Sequence, residues 1–309
     1  MRKWWFVLRE AGSEFLADHG MKLSASLSYY TIFSLGPVLI LLISFAGIFF
    51  GRDAVKGKLF YQINGLVGND AALQIQQIIQ NIEESQLSAS GAAIGILVLI
   101  VGATGIFAEI QDSINYIWSL KPKPKKGWLK LLINRLLSFS LIVSFGFILM
   151  VSLAVHALMD ILYDKLRQFF DNATVVVFQV LNYVVLFFVI STLFAIIFKV
   201  LPDGTVKWKD AYVGAFFTAV FFLVGKFLIG FYLGASSIGV TYGAAASIMI
   251  IMIWVYYSSI ILYFGAEFTK VYTLRYGSGI TPDKAAVFIL KQEVKELRDK
   301  RHGPAAKHH

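Results

Sequence analysis

Four kinds of residue in this chain could do chemistry in an apolar setting. They are the carboxylates Glu109, Asp112 and Glu267, the lysine Lys226, the amides Asn115 and Asn182, and a hydroxyl cluster in "SLSYYTIFSLGP", residues 26–37. Two carboxylates one helical turn apart, Glu109 and Asp112, can bind a cation or relay a proton at an inner vestibule. They can equally pair with the basic residues Lys130, Arg135 or Arg275. Glu267 has Lys270 three residues on and reads as an interfacial ion pair. Lys226 either faces protein, with Gln179, Asn182, His156 or the carbonyls of the 236–242 hairpin beside Tyr242 as neighbours, or snorkels to the outer headgroups.

Other chemistry lacks its residues. The five histidines, His19, His156, His302, His308 and His309, form no ligand-spaced pair on a membrane-embedded scaffold, and the chain has no cysteine. Metal-dependent hydrolysis and thiolate catalysis are therefore without ligands or nucleophile. No glycine-rich loop ends in Lys followed by Ser or Thr, so ATP-driven pumping has no motif. The chain reads as non-enzymatic, with no cofactor and no metal.

The hydroxyl cluster raises a sharper question because it meets a helix breaker, Gly36-Pro37, just before an unbroken aliphatic run. Pro37 has no N–H, which frees the carbonyl near Phe33, and Gly36 eases bending there. In hydrocarbon such a group must be satisfied by protein or water. One reading places Ser28, Tyr29, Tyr30, Ser34 and Gly36 toward the bundle interior, lining a polar cavity as discontinuous helices do in transporters. The other has the hydroxyls bonding back to their own helix.

These residues need elements to carry them, and composition says where those lie. Only 15% of the 309 residues are charged and 57% are hydrophobic, against about 25% charged in soluble domains. Residues 23–51, 85–108, 136–159 and 172–198 contain no Asp, Glu, Lys or Arg. Each is long enough for one span of about 20 residues. Ala211 to Ala266 holds one charge, Lys226, and suits two more spans around the hairpin 234–243. The expected fold is all-α with six transmembrane helices.

Connections predicted on one side carry 22 Lys and Arg against 5 on the other, which puts both termini in the cytoplasm. The +9 net charge is then a membrane-topology signature, and nucleic acid is not expected as a partner. Residues 1–20 read as an amphipathic helix in the headgroup layer, with Trp4, Trp5, Leu8, Ala11, Phe15 and Leu16 on its apolar side. The outer loop 52–90 reads as a cap, with Leu73, Ile75, Ile78, Ile79 and Ile82 on one helical face. A C-terminal helix is expected from Thr281 as N-cap and Pro282 at its first position, striped by Val287, Leu290, Val294 and Leu297. This divides the chain into a membrane domain, 1–275, and a basic cytoplasmic tail, 276–309. In the second span Gly91, Gly95, Gly102, Gly105, Glu109, Asp112 and Tyr116 fall on one stripe, where small residues admit a neighbouring backbone.

Four stretches, "SLSYYTIFSLGPVLILLISFAGIFFG", "GIFAEIQDSINYIW", "LPDGTVKWKDAYVGAFFTAVFFLVGKFLIGFYL" and "YGAAASIMIIMIWVYYSSIILYFGAEFTKVY", resemble the successive signature blocks of the YihY/BrkB family of bacterial inner-membrane proteins. The resemblance implies a multi-pass, six-span protein of the inner membrane and supplies no catalytic or binding set. The family once carried the label ribonuclease BN, which the residues above do not support, and transport is its commonly offered role. The expectation is a carrier or channel for a small solute, ion or lipid, with Ser28, Tyr29, Tyr30, Ser34, Gly36, Pro37, Asn182, Lys226 and Tyr242 at its cavity and Glu109, Asp112, Asn115 and Glu267 at its inner mouth. Membrane lipids are the expected partners, with a second copy or an envelope partner docking through the outer loop. The rival is an envelope scaffold in which the polar residues only join helices, and a third, less favoured reading is an intramembrane enzyme using hydroxyls and carboxylates.

Overall fold

A computed structural model describes residues 2–34, 72–73, 75–77, 105–123, 172–235, 246–283 and 286–289, with side chains of 172–183, 234–235 and Ser247 left aside. Among these residues the chain is mostly helical. Helix α1 is Arg2–Ala17, α2 covers 20–34 and α3 covers 105–117. They are followed by α4, Asn172–Val200, α5, Trp208–Ala235, and α6, Ala246–Tyr276. Two stretches are long and apolar enough to cross a membrane, Trp208–Leu233 and Ile248–Tyr276. Phe227, Leu228 and Phe231 of α5 are 65%, 60% and 80% exposed, a face that acyl chains would solvate and water would not. The expected span 172–198 is α4, whose described side chains form the shorter apolar stretch Val184–Val200; the first three expected spans lie wholly or partly outside the described residues.

Helices α5 and α6 run antiparallel and interlock through one repeated device. Each carries a glycine followed four residues later by a threonine, Gly214/Thr218 and Gly265/Thr269. Thr269 of α6 fills the space where Gly214 would carry a Cβ, and Thr218 of α5 does the same over Gly265. Each threonine hydroxyl donates to its own helix, to the Gly214 and Gly265 carbonyls at 2.7 Å, so close approach leaves no polar atom stranded. Farther out Gly225 accommodates Tyr257 and Ile261. Helix α4 packs against α5 through aromatic rings, Phe187 stacked on Phe216 and Phe194 edge-on to Phe222.

All the described connections gather at one end of the bundle. Strand β1, Leu120–Pro122, pairs antiparallel with β4, Ala286–Phe288, and β2, Gly204–Thr205, pairs antiparallel with β3, Thr281–Pro282. Helix α1 packs on the neighbouring end of α6, where Val7, Ala11, Phe268 and Val271 form a buried cluster. The described parts of the four basic segments, in α1, 119–123, 199–210 and 270–289, thus meet in space.

Three expectations need correction here. The fold is not purely helical, because Thr281 and Pro282 form a strand instead of starting a helix. Ile280 and Ala286 are buried, and residues 281–282 and 286–288 pair with 204–205 and 120–122, a tertiary use that overrides local capping preference. The positions Leu290, Val294 and Leu297 lie outside the described residues. In the outer loop Ala72 and Ile75 are buried while Leu73 is 41% exposed, so the inward face is set by the alanine instead. Helix α1 does more than lie in the headgroup layer: Val7, Ala11 and Phe15 are buried, leaving Trp5 and Leu16 outside.

Because Thr218 already occupies the space above Gly265, Gly265→Val would force α5 and α6 apart. We expect a loss of about 1–3 kcal/mol, read as a lowered unfolding midpoint in detergent. Gly230→Ala, at a position with open space, should leave the midpoint unchanged.

Candidate functional site

The C-terminal end of α6 holds a charge cluster that the helix periodicity alone builds halfway. Glu267 and Lys270 stand one turn apart, and Lys270 Nζ lies 3.2 Å from Glu267 Oε2. Helix α1 supplies the remainder: Glu14 and Asp18, four residues apart on one face, place oxygens 3.2 and 3.5 Å from the same ammonium. Glu267 is fully buried, Asp18 nearly so, and the Lys270 side chain is 11% exposed. The other Glu267 oxygen, Oε1, has no hydrogen-bond partner among the described residues. Three carboxylates face one ammonium, so acids outnumber the base in the cluster. The three acids offer oxygens within 4.8 Å of one another, a spacing a cation could bridge; as built, the Lys270 ammonium takes that role.

The cluster is flanked by contacts that hold α1 in place. Trp4 stacks on Tyr272 with ring centroids 5.8 Å apart, and Lys3 Nζ lies 4.3 Å from the centre of the Tyr276 ring. Arg275 donates to Glu10 across 2.6 Å. Between α1 and α2 the chain reverses through His19 in the left-handed region, φ 55°, a conformation costly for a residue with a side chain and maintained here by its surroundings. The Phe15 ring fills the position a Cβ on Gly20 would need.

The expected inner-mouth residues separate. Glu267 joins the cluster. Asn115 is buried and clamps the turn after α4: its side-chain oxygen accepts from Asp203 N at 2.8 Å and its Nδ2 donates to Asp203 Oδ2 at 3.0 Å, while Gln111 donates to Asp203 Oδ1 at 3.2 Å. Trp118 adds a bond from its indole N–H to the Ala266 carbonyl at 3.1 Å. Asp112 and Tyr116 are exposed and Glu109 half-buried, because α3 packs through Phe107, Ile110, Gln111, Ile114 and Asn115; of the predicted stripe Gly105 lies beside Ser34, and Gly91, Gly95 and Gly102 lie outside the described residues. Arg275 is committed to Glu10, so it is not the expected partner of Glu109 or Asp112. Gln111, Asp203, Glu14 and Asp18 were not picked out from sequence; for the last two the available signal was an acidic pair at helical spacing beside the apolar face of α1.

The expected cavity residues also divide. Ser28 and Ser34 are buried, but Tyr29 and Tyr30 are 58% and 44% exposed, contrary to the reading that turns all of them inward. The inward stripe of α2 is Ser24, Leu27, Ser28 and Ser34, and the helical period carries positions 29 and 30 to the other side. Ser28 donates to the Ala25 carbonyl at 3.0 Å and Thr31 to the Leu27 carbonyl at 2.8 Å, the local bonding that was the alternative. Lys226 is partly buried on α5. Gly36, Pro37, Tyr242 and the Asn182 side chain lie outside the described residues.

Comparison with known proteins agrees with this reading of a membrane protein. A family model described as virulence factor BrkB matches residues 11–288. A UPF0761 membrane protein of Verminephrobacter eiseniae is 27% identical over 275 residues, covering 85% of this chain and 60% of its own length. One from Vibrio vulnificus is 28% identical over 254 residues, covering 79% and 74%, and one from Pseudoalteromonas atlantica is 27% identical over 255, covering 82% and 81%. The chain thus spans about 60% of the length of the first of these relatives. No solved structure matches.

Replacing Lys270 by Met would leave three carboxylates facing one another without a counter-charge. We expect a loss of about 3–5 kcal/mol, the usual cost of breaking a buried ion pair from one side, measured by thermal unfolding in detergent. Arg275→Ala, on an exposed pair, should change the midpoint far less. From the match across 11–288 and the apolar helices that carry it, this chain belongs to the BrkB family of membrane proteins.

Proposed function

We propose that the protein is a six-span transporter or channel of the bacterial inner membrane, with cytoplasmic termini, that passes a small solute, ion or lipid and is controlled at its inner mouth by α1. The observation that carries this reading is the ion cluster in which buried Asp18, Glu267 and Lys270 meet Glu14, whose side chain is half-exposed. Ionisable groups at the edge of hydrocarbon are costly, and packing alone does not require them. Nineteen residues separate Glu267 from Ile248, a rise of about 28 Å, which puts the cluster one hydrocarbon thickness from the outer start of the span.

In this reading α1 closes the inner end while Lys270 is shared between the helices. A proton or cation arriving at the excess negative charge competes with the ammonium and loosens α1, and α2 follows because only the Asp18-His19 turn separates them. Lys226 serves the outer half of the same path. A scaffold is the second reading, favoured by the Gly/Thr interlock of α5 with α6 and by the back-bonded hydroxyls of α2, which satisfy polar atoms without a wet interior.

Purified protein in liposomes distinguishes them. Proton and ion flux would be followed with an entrapped pH-sensitive dye, solute release with an entrapped neutral fluorophore, and lipid scrambling by dithionite quenching of labelled lipid. Transport predicts one of these activities, altered in its pH dependence by Glu267→Gln and reduced by Lys226→Met. A folded wild-type protein with none of the three supports the scaffold.

A further inference from the structure

Between α4 and α5 the chain crosses in seven residues, 201–207, and the pairing of β2 with β3 over this crossing leaves a cavity of about 430 Å³. Lys199, Thr205, Lys207, Trp208, Ser278 and Thr281 line it. Two of its lining residues are lysines and none is acidic. Lys199 is held at the wall by donating to the Val206 carbonyl at 2.6 Å, which fixes one ammonium without neutralising it. The Thr205 and Thr281 hydroxyls lie 2.7 Å apart at the rim.

The two nearest carboxylates are each hydrogen-bonded, Asp210 to the lining residue Ser278, whose hydroxyl it takes up, and Asp203 to residues of α3. Asp210 Oδ2 accepts from the Ser278 backbone N–H at 2.9 Å and from its hydroxyl at 2.6 Å, and Asp203 is clamped by Asn115 and Gln111. Helix α5, 28 residues long, begins at the lining residue Trp208, so the positive end of its dipole lies at the cavity wall, while the Asp210 and Ala211 N–H groups are bonded to the Lys207 carbonyl. The cavity therefore combines two ammonium groups, hydroxyl donors and a helix start. Trp208, 47% exposed, belongs to the start of an apolar stretch, where tryptophan marks the headgroup level.

We propose that this cavity binds a phosphate-bearing anion at the inner membrane face. The shared chemistry is a phosphate ester on a glycerol-sized group, whether it is the headgroup of an acidic phospholipid or a free phosphate ester. Lysine ammonium groups and hydroxyl donors recognise phosphate oxygens directly, and a volume of this order takes such a group. The site stands on its own residues and does not depend on whether the protein transports.

The test uses the full chain in detergent, with native mass spectrometry and thermal shift as parallel readouts. Phosphatidylglycerol, phosphatidylcholine and lipid-free glycerol 3-phosphate are titrated separately. Saturable binding of phosphatidylglycerol over phosphatidylcholine, competed by glycerol 3-phosphate, assigns the site to a lipid headgroup. Saturable binding of glycerol 3-phosphate without a preference for phosphatidylglycerol assigns it to a soluble ester. In either case Lys199→Gln with Lys207→Gln should weaken binding about thirtyfold, and Lys207→Gln alone, which leaves the Lys199 anchor intact, about fivefold. Equal binding of all three ligands, no binding of either anion, or undiminished affinity in a folded Lys207→Gln variant and in the double variant would overturn the proposal.

Discussion

A lysine that enters a protein interior has to bring or find its counter-charge, and in this molecule that requirement joins the first helix to the last described one. Lys270 meets one carboxylate on its own helix and two on α1. Neither helix could bury its share alone: α6 would carry a nearly buried cation with one partner, and α1 would turn two acids toward an apolar surface. Docking settles both, and the aromatic stack of Trp4 on Phe268 and Tyr272 then covers the joint. Net charge remains in the cluster after docking, and this excess distinguishes it from a neutral ionic staple.

The same end of the bundle is tied together by bonds that reach across the sequence. Trp118 donates to the Ala266 carbonyl one residue before Glu267, so α3 touches the helix at the level of the cluster. Asn115 and Gln111, on the next turns of α3, hold Asp203 and with it the crossing that leads into α5. Asp210, at the start of α5, holds the turn that follows α6. A displacement of α6 would therefore be felt by α1, α3 and the 201–207 crossing together. The Gly/Thr interlock sits in this inner third, which makes α5 and α6 one unit there.

Much of this was legible in the sequence where a single helix decides the outcome. Charge-free intervals located α4, α5 and α6, and the amphipathic pattern of residues 2–17 marked α1, because cost in hydrocarbon and helical period are properties of one segment. What could not be read required knowing which elements meet. Gly214, Thr218, Gly265 and Thr269 are ordinary small residues until the two helices are set antiparallel in register. Glu14 and Asp18 look like the solvent face of α1 until α6 presents Lys270. Tyr29 and Tyr30 share a dipeptide with the inward serines by composition, yet the helical period sends them outward. Thr281 and Pro282 have the local chemistry of a helix start, and the edge offered by Gly204 and Thr205 outcompetes it.

The central claim is that α1 must leave α6 for passage to occur. The chain has no cysteine, so Glu10→Cys with Arg275→Cys, replacing an ion pair outside the cluster, gives two thiols that a reducible bis-methanethiosulfonate can bridge. Flux measured in liposomes before bridging, after bridging and after reduction tests the claim most directly. The account predicts that bridging stops the flux and reduction restores it. Flux that continues undiminished through the bridged protein would contradict it.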